Sequence, residues 1–189
     1  MDDQILKFYG RKEIQKEILE AAKNREIAVK YSDKGYGKRP DVILYENDVY
    51  ELAKQGATSF HISEERWKDA LQLKSGMTRR ELDNLRDGFD VVIDIDTNFL
   101  EYSKICADII VKAIQFYNIN SFGVKFSGRS GFHIAIPYEA LPDNINGKET
   151  KLLFPECSRI IVDYIKAFVK NKLIEEILKI STIEEISKV

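Results

Sequence analysis

The residues best suited to chemistry in this chain are two aspartates set at the end of an apolar run, "FDVVIDIDTNF", Phe89 to Phe99. In an extended strand side chains alternate between faces, so Asp94 and Asp96 project together while Ile93 and Ile95 project oppositely, toward a core. Two adjacent carboxylates repel each other unless a cation or a basic side chain lies between them. A hard divalent ion, Mg²⁺ or Mn²⁺, suits carboxylate oxygens and, held by two of them, keeps positions open for phosphate and water. A solvated strand end is the plain alternative. The apolar residues before the pair and the helical pattern after it favour the metal.

A second cluster follows in "FSGRSGFHI", Phe126 to Ile134. Small residues at Ser127, Gly128, Ser130 and Gly131 let backbone N–H groups crowd toward an anion, and Arg129 adds a fork of donors. Lys125 precedes the turn, and His133 emerges on the strand face opposite Phe132 and Ile134. Alone, this stretch reads as a glycine-rich β-turn beside a core-edge histidine. Coupled to an upstream carboxylate pair across one helix, it outlines a triphosphate cradle. Lys38 and Arg39 in "GYGKRPD" offer a weaker basic patch that can follow a nucleic-acid backbone or stand as ordinary solvated surface. His61 in "SFHIS" reads as a satisfied strand histidine, and Trp67 as a core anchor.

The elements that must position these residues are read from periodicity. Ile5 to Asn24 has helical spacing, with a break at Gly10. "EIAVKY" and "DVILYE" read as two strands of a hairpin with a mobile basic tip between them. Asn47 is placed to cap a helix through "DVYELAKQG", with Gly56 at the left-handed position that ends it. "ATSFHIS" returns as a strand, and Glu64 to Asp90 reads as turns with a short helix. Leu100 to Tyr117 is an amphipathic helix with Tyr102, Ile105, Ile109, Ala113 and Phe116 on one face. "SFGVKFSG", with Phe122, Val124 and Phe126 alternating against Lys125, and "GFHIAIP" are strands. A polar connection, Asp143 to Thr150, leads to a long helix from Ser158 to Leu178 and a short one in "TIEEISKV". An apolar stripe there, Leu173, Ile174, Ile177, Leu178, Ile180 and Ile183, is expected to pack on the domain. The order predicts an α+β fold with a central, largely antiparallel sheet covered on one face by helices.

Bulk properties narrow the classes. With 189 residues and 44% hydrophobic side chains the chain suits one domain, residues 1–189, closed by C-terminal helices over 151–189. Its net charge of −2 argues against coating nucleic acid or acidic membrane by global attraction, so any anion binding must come from a local basic patch. No apolar run approaches the roughly 20 residues that span a bilayer, and no signal-peptide pattern opens the chain, so no membrane partner and a cytoplasmic location are expected. Cys106 and Cys157 stand far apart without a CxxC or Cys/His pairing, which predicts two buried thiols and no structural zinc.

A DxD strand serves several chemistries: haloacid-dehalogenase phosphatases, which require Thr or Val where Asn98 stands, metal-dependent glycosyltransferases, and nucleotidyl transferases that clamp metals on a triphosphate. The second motif separates them. Together, "VVIDID" and "SGRSGFHI" resemble the DxD and SGxxGxH motifs of the archaeo-eukaryotic primase superfamily, typified by the small catalytic subunit of archaeal and eukaryotic DNA primases. Motif order, the intervening helix and "ATSFHISEERW" extend the resemblance over 25–137. It implies a primase-like core in which Asp94 and Asp96 bind two catalytic Mg²⁺ or Mn²⁺ ions. It also implies that Ser127, Gly128, Arg129, Ser130, Gly131 and His133, with Lys125, contact the phosphates of the incoming nucleotide. The activity implied is primer synthesis or extension on a single-stranded DNA template from nucleoside triphosphates, alongside a primase large subunit or another replication or repair protein. The family's third metal-binding Asp has no counterpart on a strand after His133: Asp143 lies in a loop and Asp163 in a helical pattern. That departure keeps a second expectation open, a primase-like module that binds nucleotide or nucleic acid without catalysing transfer.

Overall fold

The helical spacing near the N-terminus folds as two helices, α1 (Asp3–Tyr9) and α2 (Lys12–Ala22), with the turn between them at Gly10, where a side chain would be crowded. A Cβ there would stand 2.8 Å from the Leu6 carbonyl oxygen, which accepts the Gly10 N–H. The computed structural model describes residues 3–182 and divides the chain into two compact units, with the boundary in sequence between Phe89 and Asp90.

In the first unit, β1 (Ile27–Lys30) is followed by α3 (Glu46–Lys54) and β2 (Ser59–Ile62), and β1 pairs antiparallel with β2. "DVILYE" is therefore not a strand, a correction to the expected hairpin. Its one ladder-like bond runs from Ile27 N–H to the Asp41 carbonyl at 2.8 Å, and Ile43 sinks into the core while Leu44 and Tyr45 stay exposed. α3 is not capped by Asn47: Asp48 turns back to accept the Leu44 and Tyr45 amides at 3.0 and 2.8 Å. Gly56 does end the helix, with φ +100°, while its N–H and that of Ala57 return to the Ala53 and Leu52 carbonyls. Tyr9, Ala22, Ile27, Val29, Ile43, Val49, Ala53 and Ala57 form the core of this unit. The stretch expected to be turns with one helix also holds two short antiparallel strands, β3 (Glu65–Trp67) and β4 (Arg86–Phe89), besides α4 (Arg79–Leu85).

In the second unit, β5 (Val91–Ile95), β6 (Gly123–Gly128) and β7 (Gly131–Ile136) make a three-stranded antiparallel sheet of order β5-β7-β6, with α5 (Leu100–Phe116) between β5 and β6 in sequence. Val91, Ile93, Ile95, Ile134 and Ile136 lie on one sheet face with α5 and α6 (Glu156–Leu178) packed behind them. Each such buried branched side chain removes apolar surface worth about 1.5–3 kcal/mol. The buried face of α5 is rotated from the expected one. Ser103, Ala107, Ile110 and Ile114 join Ile109 and Ala113, whereas Phe116 is 70% exposed. Small Ser103 and Ala107 let the helix approach its neighbours closely. β6 is an edge strand and is exposed throughout, so its Val124 and Phe126 alternate without being covered.

The polar connection 143–150 contains a small hairpin, β8 (Asn144–Ile145) with β9 (Lys148–Glu149), turned by Asn146 and Gly147 with φ 50° and 77°. The class is thus α+β with small antiparallel sheets; among the described residues the strands form four separate sheets instead of one central sheet. In the C-terminal stripe Ile174, Leu178 and Ile180 are exposed, so it does not pack away as expected. Ile183 and most of "TIEEISKV" lie outside the described residues. Among the described residues, no helix is long and apolar enough to cross a membrane.

Candidate functional site

Register in the sheet of the second unit decides which side chains meet. Asp94 on β5 lies opposite His133 on β7, and His133 lies opposite Lys125 on β6. Residues paired across antiparallel strands share a face, so Lys125, His133 and Asp94 form one row on the face opposite Ile93 and Ile134. His133 Nε2 stands 3.3 Å from Asp94 Oδ1, with the histidine about one-third and the aspartate two-thirds exposed. Asp96 lies one residue past the end of β5, exposed, and by alternation follows Asp94 on that side.

The β6–β7 turn is built by Gly128, Arg129, Ser130 and Gly131. Gly128 has φ +106° and Arg129 φ +52°, the latter uncommon for a residue with a side chain. Successive positive φ values bend the backbone sharply at the tip, where Arg129 is exposed. Gly131 is closely approached: a Cβ would stand 2.4 Å from Ser127 Oγ and 3.0 Å from the Ile95 carbonyl oxygen. The Ser130 hydroxyl donates to the Thr97 carbonyl, which brings the tip of the turn to the segment just after Asp96.

The two sequence motifs therefore converge, and Asp94, Lys125 and His133 share one row. Lys38 and Arg39 belong to the first unit. There Arg39 grips the buried Glu26 carboxylate with two hydrogen bonds, at 2.7 and 2.8 Å, while Lys38 is exposed. The loop carrying them is tied down by the Tyr31 N–H to Gly35 carbonyl and Gly37 N–H to Val29 carbonyl bonds. His61 has the partners expected of a satisfied strand histidine, Ser59 Oγ at 2.9 Å and the edge-on ring of Tyr36. Trp67 is 3% exposed, a core anchor. Cys157 is buried and Cys106 only partly so; burial pushes both thiols up from their ordinary pKa.

Among the described residues, no three His, Cys, Asp or Glu side chains converge as a metal-holding group. Asp94 and Asp96 nevertheless suit Mg²⁺, which is commonly held by one or two carboxylates together with substrate phosphates and waters. Sequence reasoning missed Thr97 and Ser103. Their only signal was a hydroxyl residue two positions before an aromatic helix start, the pattern of a local side-chain turn. No protein-family model matches this chain, and no curated protein matches it.

Proposed function

We propose that this protein is a metal-dependent nucleotidyltransferase of the primase-polymerase kind, which makes or extends a primer on single-stranded DNA from nucleoside triphosphates. The observation that carries the reading is the cross-strand row Lys125–His133–Asp94 beside a turn with two successive positive-φ residues. Basic side chains and carboxylates on strands of one sheet support a site that takes a phosphate together with a metal. Asp94 and Asp96 would hold the Mg²⁺ or Mn²⁺, which when bound would neutralise charge on the triphosphate. The backbone N–H groups of the 128–131 turn and the Arg129 fork hold the phosphates. Lys125 adds positive charge on the same face, and His133, fixed by Asp94, presents its ring toward the phosphates. The 3′-hydroxyl of the primer attacks the α-phosphate, and pyrophosphate leaves.

The second reading, a nucleotide-binding module without transfer, is favoured by the absence of a third converging carboxylate among the described residues. Calorimetric titration with a nucleoside triphosphate in Mn²⁺ tests the cradle. Arg129→Ala and His133→Ala are expected to weaken binding at least about tenfold, the scale of a lost charge-assisted hydrogen bond, with the fold intact. Unchanged affinity in both variants contradicts the cradle.

A further inference from the structure

Thr97 lies outside the VVIDID and SGRSGFHI motifs, yet it is hydrogen-bonded to the second and directly follows the first. Its hydroxyl donates to the Phe99 carbonyl at 2.7 Å and accepts the Phe99 N–H at 3.2 Å. The same hydroxyl shares a hydrogen bond with Ser103 Oγ at 2.9 Å, in which either oxygen can donate. Ser103 is fully buried on α5, so this bond satisfies a hydroxyl with no access to water. On its other side the Thr97 carbonyl accepts the Ser130 hydroxyl. Thr97 directly follows Asp96, and Ser130 directly follows Arg129. One hydrogen bond thus connects the neighbour of a carboxylate to the neighbour of the phosphate-turn arginine, and its base is anchored in the buried face of α5.

We infer that Thr97, Ser103 and Ser130 form a hydroxyl latch that sets the phosphate turn against the carboxylate segment. Thr97 and Ser130 are then positioning residues, with the Ser130 proton committed to Thr97 and not to a phosphate. The inference rests on the nucleotide-site reading above and deepens it. Gly131, held close to the Ile95 carbonyl oxygen, is the other point where the turn approaches β5.

The test uses the full chain and the variants Ser130→Ala, Thr97→Val and Thr97→Ser, read by amide hydrogen exchange and by titration of a fluorescent ATP analogue with Mn²⁺. In Ser130→Ala, exchange is expected to quicken both at residues 129–131 and across the gap at Phe99 and Ser103. Thr97→Val is expected to quicken the same two segments, and Thr97→Ser to restore both. Triphosphate affinity is expected to fall about tenfold in Ser130→Ala and Thr97→Val, as for a lost hydrogen bond of about average strength, and to recover in Thr97→Ser. Exchange confined to the mutated segment, or affinities within about twofold of the parent protein in both variants, overturns the latch. A parent protein that binds no triphosphate overturns the nucleotide-site reading instead, and the exchange data alone then decide the latch.

Discussion

Asp94 and His133 face each other across β5 and β7, with Nε2 3.3 Å from Oδ1 on the solvent side of the sheet. The pairing answers how a carboxylate is tolerated within an otherwise apolar strand. It points away from the Ile93 and Ile134 core, and a histidine stands beside it. Exposed pairs of this kind add little to stability, about 0–1 kcal/mol.

Asp94→Asn should therefore separate function from folding. Its unfolding free energy is expected to stay within about 1 kcal/mol of the parent protein, while the Mn²⁺-dependent part of triphosphate binding disappears. Denaturant unfolding and calorimetry on the same sample check both halves. A loss of several kcal/mol would show that the pair is a fold element first.

Gly131→Ala should do the opposite. The new Cβ meets Ser127 Oγ, a side-chain end, at 2.4 Å and the Ile95 carbonyl oxygen at 3.0 Å, so both must shift to admit it. A cost of about 1–3 kcal/mol is expected, the range for an overpacked site, read as a lower thermal midpoint.

In the first unit, Arg86 is 3% exposed and bonds Glu65 at 2.8 and 2.9 Å and also Asp83, with its guanidinium over the Trp67 ring. Burial pushes the Glu65 carboxyl up, against the opposing pull of Arg86. Arg86→Met removes that pull and leaves two carboxylates together. A loss of about 3 kcal/mol in denaturant unfolding is expected. A neutral result would mean that the network is dispensable to this unit.

Glu176 on α6 lies 2.8 Å from Lys172 Nζ and 2.7 Å from Lys179 Nζ, which hold its carboxyl down to about 2 from the usual 4.5. A folded-state value below the unfolded one means that the unfolded chain takes up the proton first on acidification. The contribution of Glu176 is thus fully present above about pH 4.5 and is lost as pH falls through about 2. The stability difference between the parent protein and Glu176→Gln should be flat at neutral pH and close over that window. A difference that grows on acidification contradicts the assignment.

What the sequence makes legible follows from how local each signal is. The β5–α5–β6–β7 order comes from hydrophobic periodicity, and the common side of Asp94 and Asp96 from period-two alternation, which needs only the strand itself; the row with Lys125 depends on cross-strand register. Gly56 was legible because a left-handed helix end favours glycine. "DVILYE" misled because an apolar run names burial and not pairing: Ile43 is buried without any ladder of its own. The rotated face of α5 was hidden because Ser103 and Ala107 score as polar or neutral, while their small size is what permits close packing. Arg39 looked like a loop charge because its partner Glu26 is distant in sequence. The Thr97 latch depends on a carbonyl and a hydroxyl from two motifs, which no pattern within either one reveals.

The central claim is that the carboxylate pair and the phosphate turn together transfer nucleotides. Incorporation of radiolabelled nucleoside triphosphate on a single-stranded DNA template in Mn²⁺, comparing the parent protein with Asp94→Ala/Asp96→Ala, tests it most directly. The account predicts labelled oligonucleotide products that depend on metal and vanish in the double variant. Products made equally well by the double variant, or none from a parent protein that is folded and supplied with metal and primer, would contradict it.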